Sequence, residues 1–198
     1  MGQYVRKDHL YEKAKEEGFR SRASYKLKEL DQKHGLLKPG FKIIDLGAWP
    51  GGWLQVASER VGRSGMVVGI DLKAIEDLTD SHIQVITGDV SDDAVLTRAC
   101  EMAGGRFDLV LSDMSPKLTG IREVDRYAAI GCADLALYAA GKLLRAGGNF
   151  VTKVFKSPEV DQFVKTNQAL FNKMVRSELK STRKSSNEFY LIGFGFKG

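Results

Sequence analysis

Residues 41–62 read FKIIDLGAWPGGWLQVASERVG. An aliphatic run around Ile43 and Ile44 ends at Asp45, a turn containing Gly47, Pro50, Gly51 and Gly52 follows, and apolar residues then recur at helical spacing. A strand delivered into a helix through a glycine turn is the opening unit of a doubly wound α/β sheet, and such a turn is the default ligand site of that architecture.

The rest of the chain repeats the alternation. MVVGIDL, IQVITGDV, FDLVLSDM, NFVTKVF, KMVRSELK and EFYLIGFGF read as six further strands, the sixth of the seven being the weakest. Helical patterns fall between them, the longest in DRYAAIGCADLALYAAGKLLRAGG, where Ala128, Cys132, Leu135, Ala136, Ala139 and Leu143 form an apolar stripe for packing on a sheet. Strands alternating with helices predict a mostly parallel seven-stranded α/β sheet with helices on both faces. Between Lys180 and Glu188 there is no room for a crossover helix, so the last two strands should form an antiparallel hairpin. That is the outline of a class I (Rossmann-like) methyltransferase more than of a dinucleotide dehydrogenase. The 198 residues should form one domain, with residues 1–36 a basic helical extension of it.

The turn argues about its ligand. Starting from Gly47, the dinucleotide fingerprint G-x-G-x-x-G fails because Trp49 occupies the second glycine position, where a pyrophosphate needs close backbone approach. A ligand without phosphates needs only an open turn. Asp71 closes GIDL, where a carboxylate accepts both hydroxyls of a ribose, and Asp89 closes ITGDV, where it could accept an adenine amino group. Each acid alone reads equally as a turn or helix-cap residue, since Asp89 precedes Ser91, Asp92 and Asp93. Trp49 and Trp53 could cover a ligand or pack beneath the turn.

The net charge is +5 and the isoelectric point about 9.1, which makes an acidic partner plausible. The charge is clustered. RSRASYKLK (20–28) carries Arg20, Arg22, Lys26 and Lys28 with no acid, and KMVRSELKSTRK (173–184) includes Lys180, Arg183 and Lys184 against Glu178. Solvated helix faces would explain either cluster; both together, with hydroxyls interleaved, point to an RNA phosphate backbone gripped by Arg20, Arg22, Lys28, Lys180, Arg183 and Lys184. Cys100 and Cys132 are far apart in helical patterns, so neither a disulfide nor a metal is expected. The apolar runs are shorter than a bilayer span, and MGQYVRKDHL has charges where a signal peptide needs an apolar stretch. Arg6 stands where a myristoylation motif wants Ser or Thr. A cytoplasmic protein, monomeric and without a membrane partner, is the expectation.

In order along the chain, RSRASYKL, DLGAWPGGW, GIDL, TGDV, SDMSPKLTG and VTKVF resemble the motifs of the FtsJ-type family of ribosomal RNA methyltransferases. The resemblance runs from about Tyr11 to the C-terminus. It implies transfer of a methyl group from S-adenosylmethionine, leaving S-adenosylhomocysteine, to a ribose 2′-hydroxyl, that of a uridine, in large-subunit RNA, the RNA lying within the large ribosomal subunit. Lys26, Asp113, Lys153 and Glu188 match the family's Lys-Asp-Lys-Glu catalytic tetrad. Gly47, Pro50, Gly51, Gly52, Trp53, Asp71, Asp89 and Asp113 are then the donor-binding set, with no metal. The chain departs from the family pattern at Trp49, where alanine is usual, and at Lys117 and Thr119, where asparagine and serine are.

The resemblance casts Lys153 as general base, drawing the proton from a hydroxyl that is otherwise a poor nucleophile. A charged Lys153 would instead orient the oxygen and stabilise developing charge. Asp113 would position Lys153 and the donor, Lys26 would hold the ribose or its phosphate, and Glu188 would tether a lysine. No Asn-Pro-Pro-Tyr-like segment follows the fourth strand, which disfavours a base amino group as acceptor, and neither cysteine sits at a strand end for a covalent route. The same chemistry on transfer RNA or an mRNA cap, and a nucleotide-binding RNA chaperone without catalysis, are the competing readings.

Overall fold

The computed structural model describes residues 9–198 apart from 77, 79, 118, 184 and 185, and the side chain of 122. Two helices, α1 (His9–Glu16) and α2 (Ser24–His34), precede the sheet. The alternating part runs β1 (Lys42–Leu46), α3 (Gly52–Val61), β2 (Met66–Asp71), β3 (Ile83–Thr87), α4 (Asp93–Met102), β4 (Phe107–Ser112), α5 (Arg122–Leu143), β5 (Leu144–Phe155), α6 (Pro158–Asn167), β6 (Phe171–Ser177) and β7 (Glu188–Phe196). Seven strands form one sheet in the order β3-β2-β1-β4-β5-β7-β6. All neighbouring pairs are parallel except those made by β7, which inserts between β5 and β6 and runs against both.

Each central strand is apolar on both faces because helices cover both. Ile43, Val67, Leu109 and Val151 pack with Leu27 and Leu30 of α2 and Leu54 and Ala57 of α3. Their sequence neighbours Ile44, Val68, Val110 and Phe150 point the other way, onto Leu96 of α4 and Ala136, Ala139 and Leu143 of α5. The expected stripe on α5 therefore divides. Ala136, Ala139 and Leu143 are fully buried, whereas Cys132 and Leu135, nearer the helix start, face a pocket. Sequence reading begins the fifth strand at Asn149; the strand starts at Leu144, with a register break against β4 between Phe107 and Leu109 that absorbs the glycines. Among the described residues no helix is long and apolar enough to cross a membrane.

The connectivity locates the site. After β1 the chain steps outward to β2 and β3, then returns to β4 on the other side of β1. The loops after β1 and β4 thus diverge to opposite faces and leave a crevice at the carboxyl edge.

Candidate active site

A pocket of about 430 Å³ opens in that crevice, walled by Gly47, Asp71, Asp89, Asp113, Met114 and Cys132 among others. Gly47 has φ of +78°, and a Cβ there would lie 2.6 Å from Met114 Cγ, so only glycine lets the turn approach the loop after β4. Three carboxylates line the pocket and, among the described residues, no lysine or arginine does. A pyrophosphate would be repelled by this donor set, and a nucleoside bearing positive charge would be attracted.

The carboxylates are held in place. Asp71 accepts the Trp49 N–H at 2.9 Å through one oxygen and the Lys73 N–H at 2.9 Å through the other, which ties the glycine turn to the end of β2. Asp89 accepts both the backbone N–H and the hydroxyl of Ser91 at 2.8 Å, and these bonds hold its carboxyl below the usual range. The cap of α4 is Asp92, which accepts from the Ala94 N–H, so Asp89 keeps one oxygen unspent on that turn. Trp49 is about half exposed on the pocket wall, with Lys73 Nζ 4.2 Å from its ring centroid.

Four of the eight donor-site expectations, Gly47, Asp71, Asp89 and Asp113, line the pocket; Pro50, Gly51, Gly52 and Trp53 do not. Their side of the turn faces α2. A Cβ on Gly52 would lie 2.4 Å from Ser21 Oγ and 2.8 Å from Ser24 Oγ, and the Ser24 hydroxyl donates to the Gly52 carbonyl at 3.1 Å. Trp53 is buried, its indole N–H donating to the Ala23 carbonyl at 2.7 Å and its ring 5.9 Å from that of Tyr190. Gly52 and Trp53 thus pack against the start of α2 and the residues leading into it, a role the glycine spacing cannot distinguish from ligand approach.

Lys26, Asp113, Lys153 and Glu188, spread over 163 residues of sequence, meet beside the pocket. Lys153 projects from β5, buried, and donates to the Asp113 carbonyl at 2.7 Å while its Nζ lies 3.1 Å from Asp113 Oδ1. Lys26 of α2 bonds Glu188 at 2.5 Å, both side chains nearly buried. Tyr190 joins the two pairs. Its hydroxyl donates to Asp113 Oδ1 at 2.7 Å, its ring centroid is 6.0 Å from Lys26 Nζ, and it stands opposite Lys153 in the β5–β7 register. Burial works against the Asp113 charge, but Lys153, Lys26 and the Tyr190 hydroxyl outweigh it and hold the carboxyl below its usual range. Burial, then the Asp113 and Glu188 charges, push the Tyr190 phenol well up, so it stays a donor.

Sequence reasoning missed Tyr190 and Asp45. Asp45 is 2% exposed near the end of β1, its Oδ1 has no partner among the described residues, and burial beside Asp113 and Asp71 raises its carboxyl well above the usual range, which favours the neutral acid. The sign was present: an acid inside the apolar run at a strand end.

The expected phosphate contacts divide sharply. Arg20 donates to the Pro50 carbonyl at 3.3 Å and the Glu76 carbonyl at 2.7 Å, clamping the glycine turn to the segment after β2. Arg22 donates to the Ser181 carbonyl at 2.7 Å. Lys28 is about 200° around α2 from Lys26, with its Nζ 4.0 Å from the Phe19 ring centroid. Lys180 and Arg183 alone border a cavity shared with Glu188. Lys184 lies outside the described residues. The segment before β7 is docked on α2 by Glu29, which accepts the N–H groups of Lys180 and Ser181 at 2.8 and 2.9 Å. Partial burial works against the Glu29 charge, yet Lys33 and these two amides bring its carboxyl down to about 2. Among the described residues no group of three or more histidines, cysteines or acids could hold a metal ion.

Known proteins resemble this chain in sequence and in fold. Residues 19–196 match the family described as FtsJ-like methyltransferase. The chain is 41% identical over 193 residues to the ribosomal RNA large subunit methyltransferase E of Methanothermobacter thermautotrophicus, covering 98% of this chain and 92% of the other. It is 43% identical over 190 residues to the protein of the same name from Alkalilimnicola ehrlichii, covering 96% and 90%. A solved structure from Plasmodium falciparum, described as a ribosomal RNA methyltransferase, superposes with a TM-score of 0.79 at 26% identity, covering 91% of this chain and all of that one.

Proposed function

The chain belongs to the FtsJ-like methyltransferase family, and from that premise we propose that it methylates a ribose 2′-hydroxyl of large-subunit ribosomal RNA with S-adenosylmethionine as donor. It is an RNA methyltransferase. The finer reading is a uridine target presented by the large ribosomal subunit to a cytoplasmic, monomeric enzyme whose residues 1–36 belong to the same domain as the sheet. The observation that carries the chemistry is the Lys26, Asp113, Lys153 and Glu188 network beside a pocket lined by three carboxylates.

The pocket suits the donor. Its acids favour a sulfonium nucleoside over a dinucleotide; Asp71 would accept the ribose hydroxyls, the unspent oxygen of Asp89 would accept the adenine amino group, and the turn at Gly47 would border the methionine end. When bound, S-adenosylmethionine supplies an electrophilic methyl group on a sulfonium that departs as a neutral thioether.

The chain's own residues act on the hydroxyl. Asp113 takes two N–H groups of Lys153, one on its carbonyl and one on Oδ1. The remaining valence of Nζ is left for the substrate: a lone pair when the amine is neutral, a third N–H when it is ammonium. The neutral form accepts the 2′-hydroxyl proton as the oxygen attacks. Asp113 and Tyr190 fix where that nitrogen points, a positioning effect that sets the rate through alignment. Lys26, steadied by Glu188, faces the ribose and its phosphate.

Tritiated methyl transfer to large-subunit particles, free ribosomal RNA, transfer RNA and capped RNA, followed by nucleoside mapping, tests the reading. A 2′-O-methyluridine in large-subunit RNA is the expected product; label confined to transfer RNA or cap would overturn the substrate, and no label on any RNA would overturn the activity.

A further inference from the structure

Two cavities meet beside the tetrad, one of them reaching its Glu188. β5 ends at Phe155 opposite Glu188, and the next two residues are joined by the Lys156 N–H donating to the Asn187 carbonyl at 3.1 Å. Lys156 and Asn187 line both cavities and so form a ridge between them. On the side of α5 and α6 is a hollow of about 300 Å³ with Ala129, Ile130, Val154, Phe155 and Val160 in its walls. On the side of the segment before β7 is a cavity of about 280 Å³ bordered by three cations, Lys156, Lys180 and Arg183, and two acids, Glu178 and Glu188.

We propose that this pair of cavities is a neighbouring-nucleotide subsite: the apolar hollow takes the base of the nucleotide adjacent to the methylated one, and the cationic cavity takes its phosphate. The inference rests on the RNA methyltransferase reading above and says which part of the RNA strand is gripped, and where.

The chemistry of the two halves matches the two halves of a nucleotide. Single-stranded RNA is held by aromatic or apolar platforms for its bases joined to a cationic track for its backbone, and here the two adjoin across one residue pair. Ser157 and Asn187 supply hydroxyl and amide groups at the apolar hollow, donors and acceptors suited to a base edge. Its volume is at the small end of ligand pockets, which run about 300–1,000 Å³, enough for one base and too little for a folded peptide segment. The charged groups of the hollow are already satisfied. Asp125 accepts from the Thr119 N–H and hydroxyl and the Gly120 N–H, and Arg126 pairs with Glu159.

The cationic side is available in a different way. Lys156 pairs with Glu178 at 2.6 Å, but the two side chains are 58% and 69% exposed, and an exposed pair of this kind is weak enough to yield to a phosphate. Position completes the argument. Phe155 is two residues beyond Lys153 on β5, a step of about 7 Å, a span that one nucleotide of extended backbone covers. A strand that presents its 2′-hydroxyl to Lys153 therefore brings an adjacent nucleotide to the wall of the hollow at Phe155.

Two measurements test this. Ala129→Phe fills the hollow, and it should raise KM for the RNA substrate about tenfold while leaving donor affinity and the unfolding midpoint at wild-type values. Independently of any variant's folding, photo-cross-linking of wild-type protein to substrate RNA carrying 4-thiouridine on either side of the target should give adducts within residues 126–130 or 154–160. Wild-type KM in a folded Ala129→Phe protein, or adducts confined to other peptides, would overturn the subsite while wild-type methylation of the same RNA leaves the functional reading standing. Absence of 2′-O-methylribose with wild-type protein would remove both.

Discussion

The Tyr190 hydroxyl and Lys153 Nζ meet at one atom, Asp113 Oδ1, at 2.7 and 3.1 Å. Tyr190 is fully buried and its phenol is kept protonated, so the bond persists across the working pH range. Tyr190→Phe keeps the ring and removes only this donor. Unfolding free energy should fall by about 1.5–3 kcal/mol, the scale of a hydrogen bond to a charged group. Turnover should fall with it while KM for the donor holds, because the lost bond aims Lys153. Urea unfolding and single-turnover methyl transfer measure the two effects; unchanged turnover would separate Tyr190 from the chemistry.

Lys153→Ala should reduce turnover by about 10²–10⁴-fold, the usual contribution of a general base, with donor affinity nearly intact. Lys153→Arg should be almost as slow, because a guanidinium gives up no proton near neutral pH and cannot reproduce a compact amine donating to both Asp113 acceptors. Methyl-transfer rates and calorimetric donor titrations on both variants decide it. Substantial activity in the arginine variant would leave Lys153 an orienting cation.

Asp71 carries two duties, accepting the Trp49 and Lys73 amides and facing the pocket. Asp71→Ala should weaken donor binding about tenfold or more, since a charged acceptor is lost and the turn it anchors is released. Asp71→Asn should lose less, retaining one acceptor oxygen. Equal affinities for wild type and Asp71→Ala by calorimetry would reassign the ribose contact.

How far the sequence speaks depends on the range of the interaction. The strands, the glycine turn and the acids at strand ends were legible because periodicity and turn chemistry act over a few residues. The antiparallel pairing of the last two strands followed from the short segment between Lys180 and Glu188, whereas the insertion of β7 between β5 and β6 did not. Tyr190 was not legible, since alternation fixes the face of a strand residue but its place opposite Lys153 comes from the β5–β7 register. The carbonyl partners of Arg20 and Arg22 were not legible for a related reason. A cluster of charge announces an anion, yet these guanidiniums bond carbonyls at Pro50, Glu76 and Ser181, up to 159 residues away, which no local pattern encodes. The glycine turn held two meanings at once: Gly47 lets the turn approach Met114 at the pocket wall, and Gly52 admits the start of α2.

Asp45 gives the protein a pH signature. Burial, then the charges of Asp113 and Asp71, raise its carboxyl in the fold well above the usual range, whereas in the unfolded chain it ionises near pH 4. A raised folded value means the unfolded state sheds the proton first, so this group's contribution is fully present below about pH 4 and is lost progressively as pH rises toward the folded value. Asp45→Asn removes the dependence. The variant should match wild type in acid and become relatively more stable as pH rises through the neutral range. Urea midpoints of both proteins from pH 4 to 8 test the sign; a gap that shrinks with rising pH would contradict it.

The basic clusters should separate in their responses to salt. Each phosphate contact on single-stranded RNA contributes about 0.7 to the log-log slope of affinity against salt. Lys180 and Arg183 border the cavity beside Glu188, so Lys180→Glu with Arg183→Glu should flatten the slope by about 1.4 and cut methylation while donor affinity stays put. Arg20→Ala should do the reverse. Its guanidinium holds the Pro50 and Glu76 carbonyls, so its loss loosens the glycine turn, weakens donor binding and lowers the unfolding midpoint, with the RNA slope little changed. The contrast rests on geometry, because the two clusters have the same kind of charge and differ only in what the side chains touch. Filter binding across a salt series, beside calorimetry with the donor, reads both responses; a flattened slope in Arg20→Ala with unaltered donor affinity would return Arg20 to the RNA.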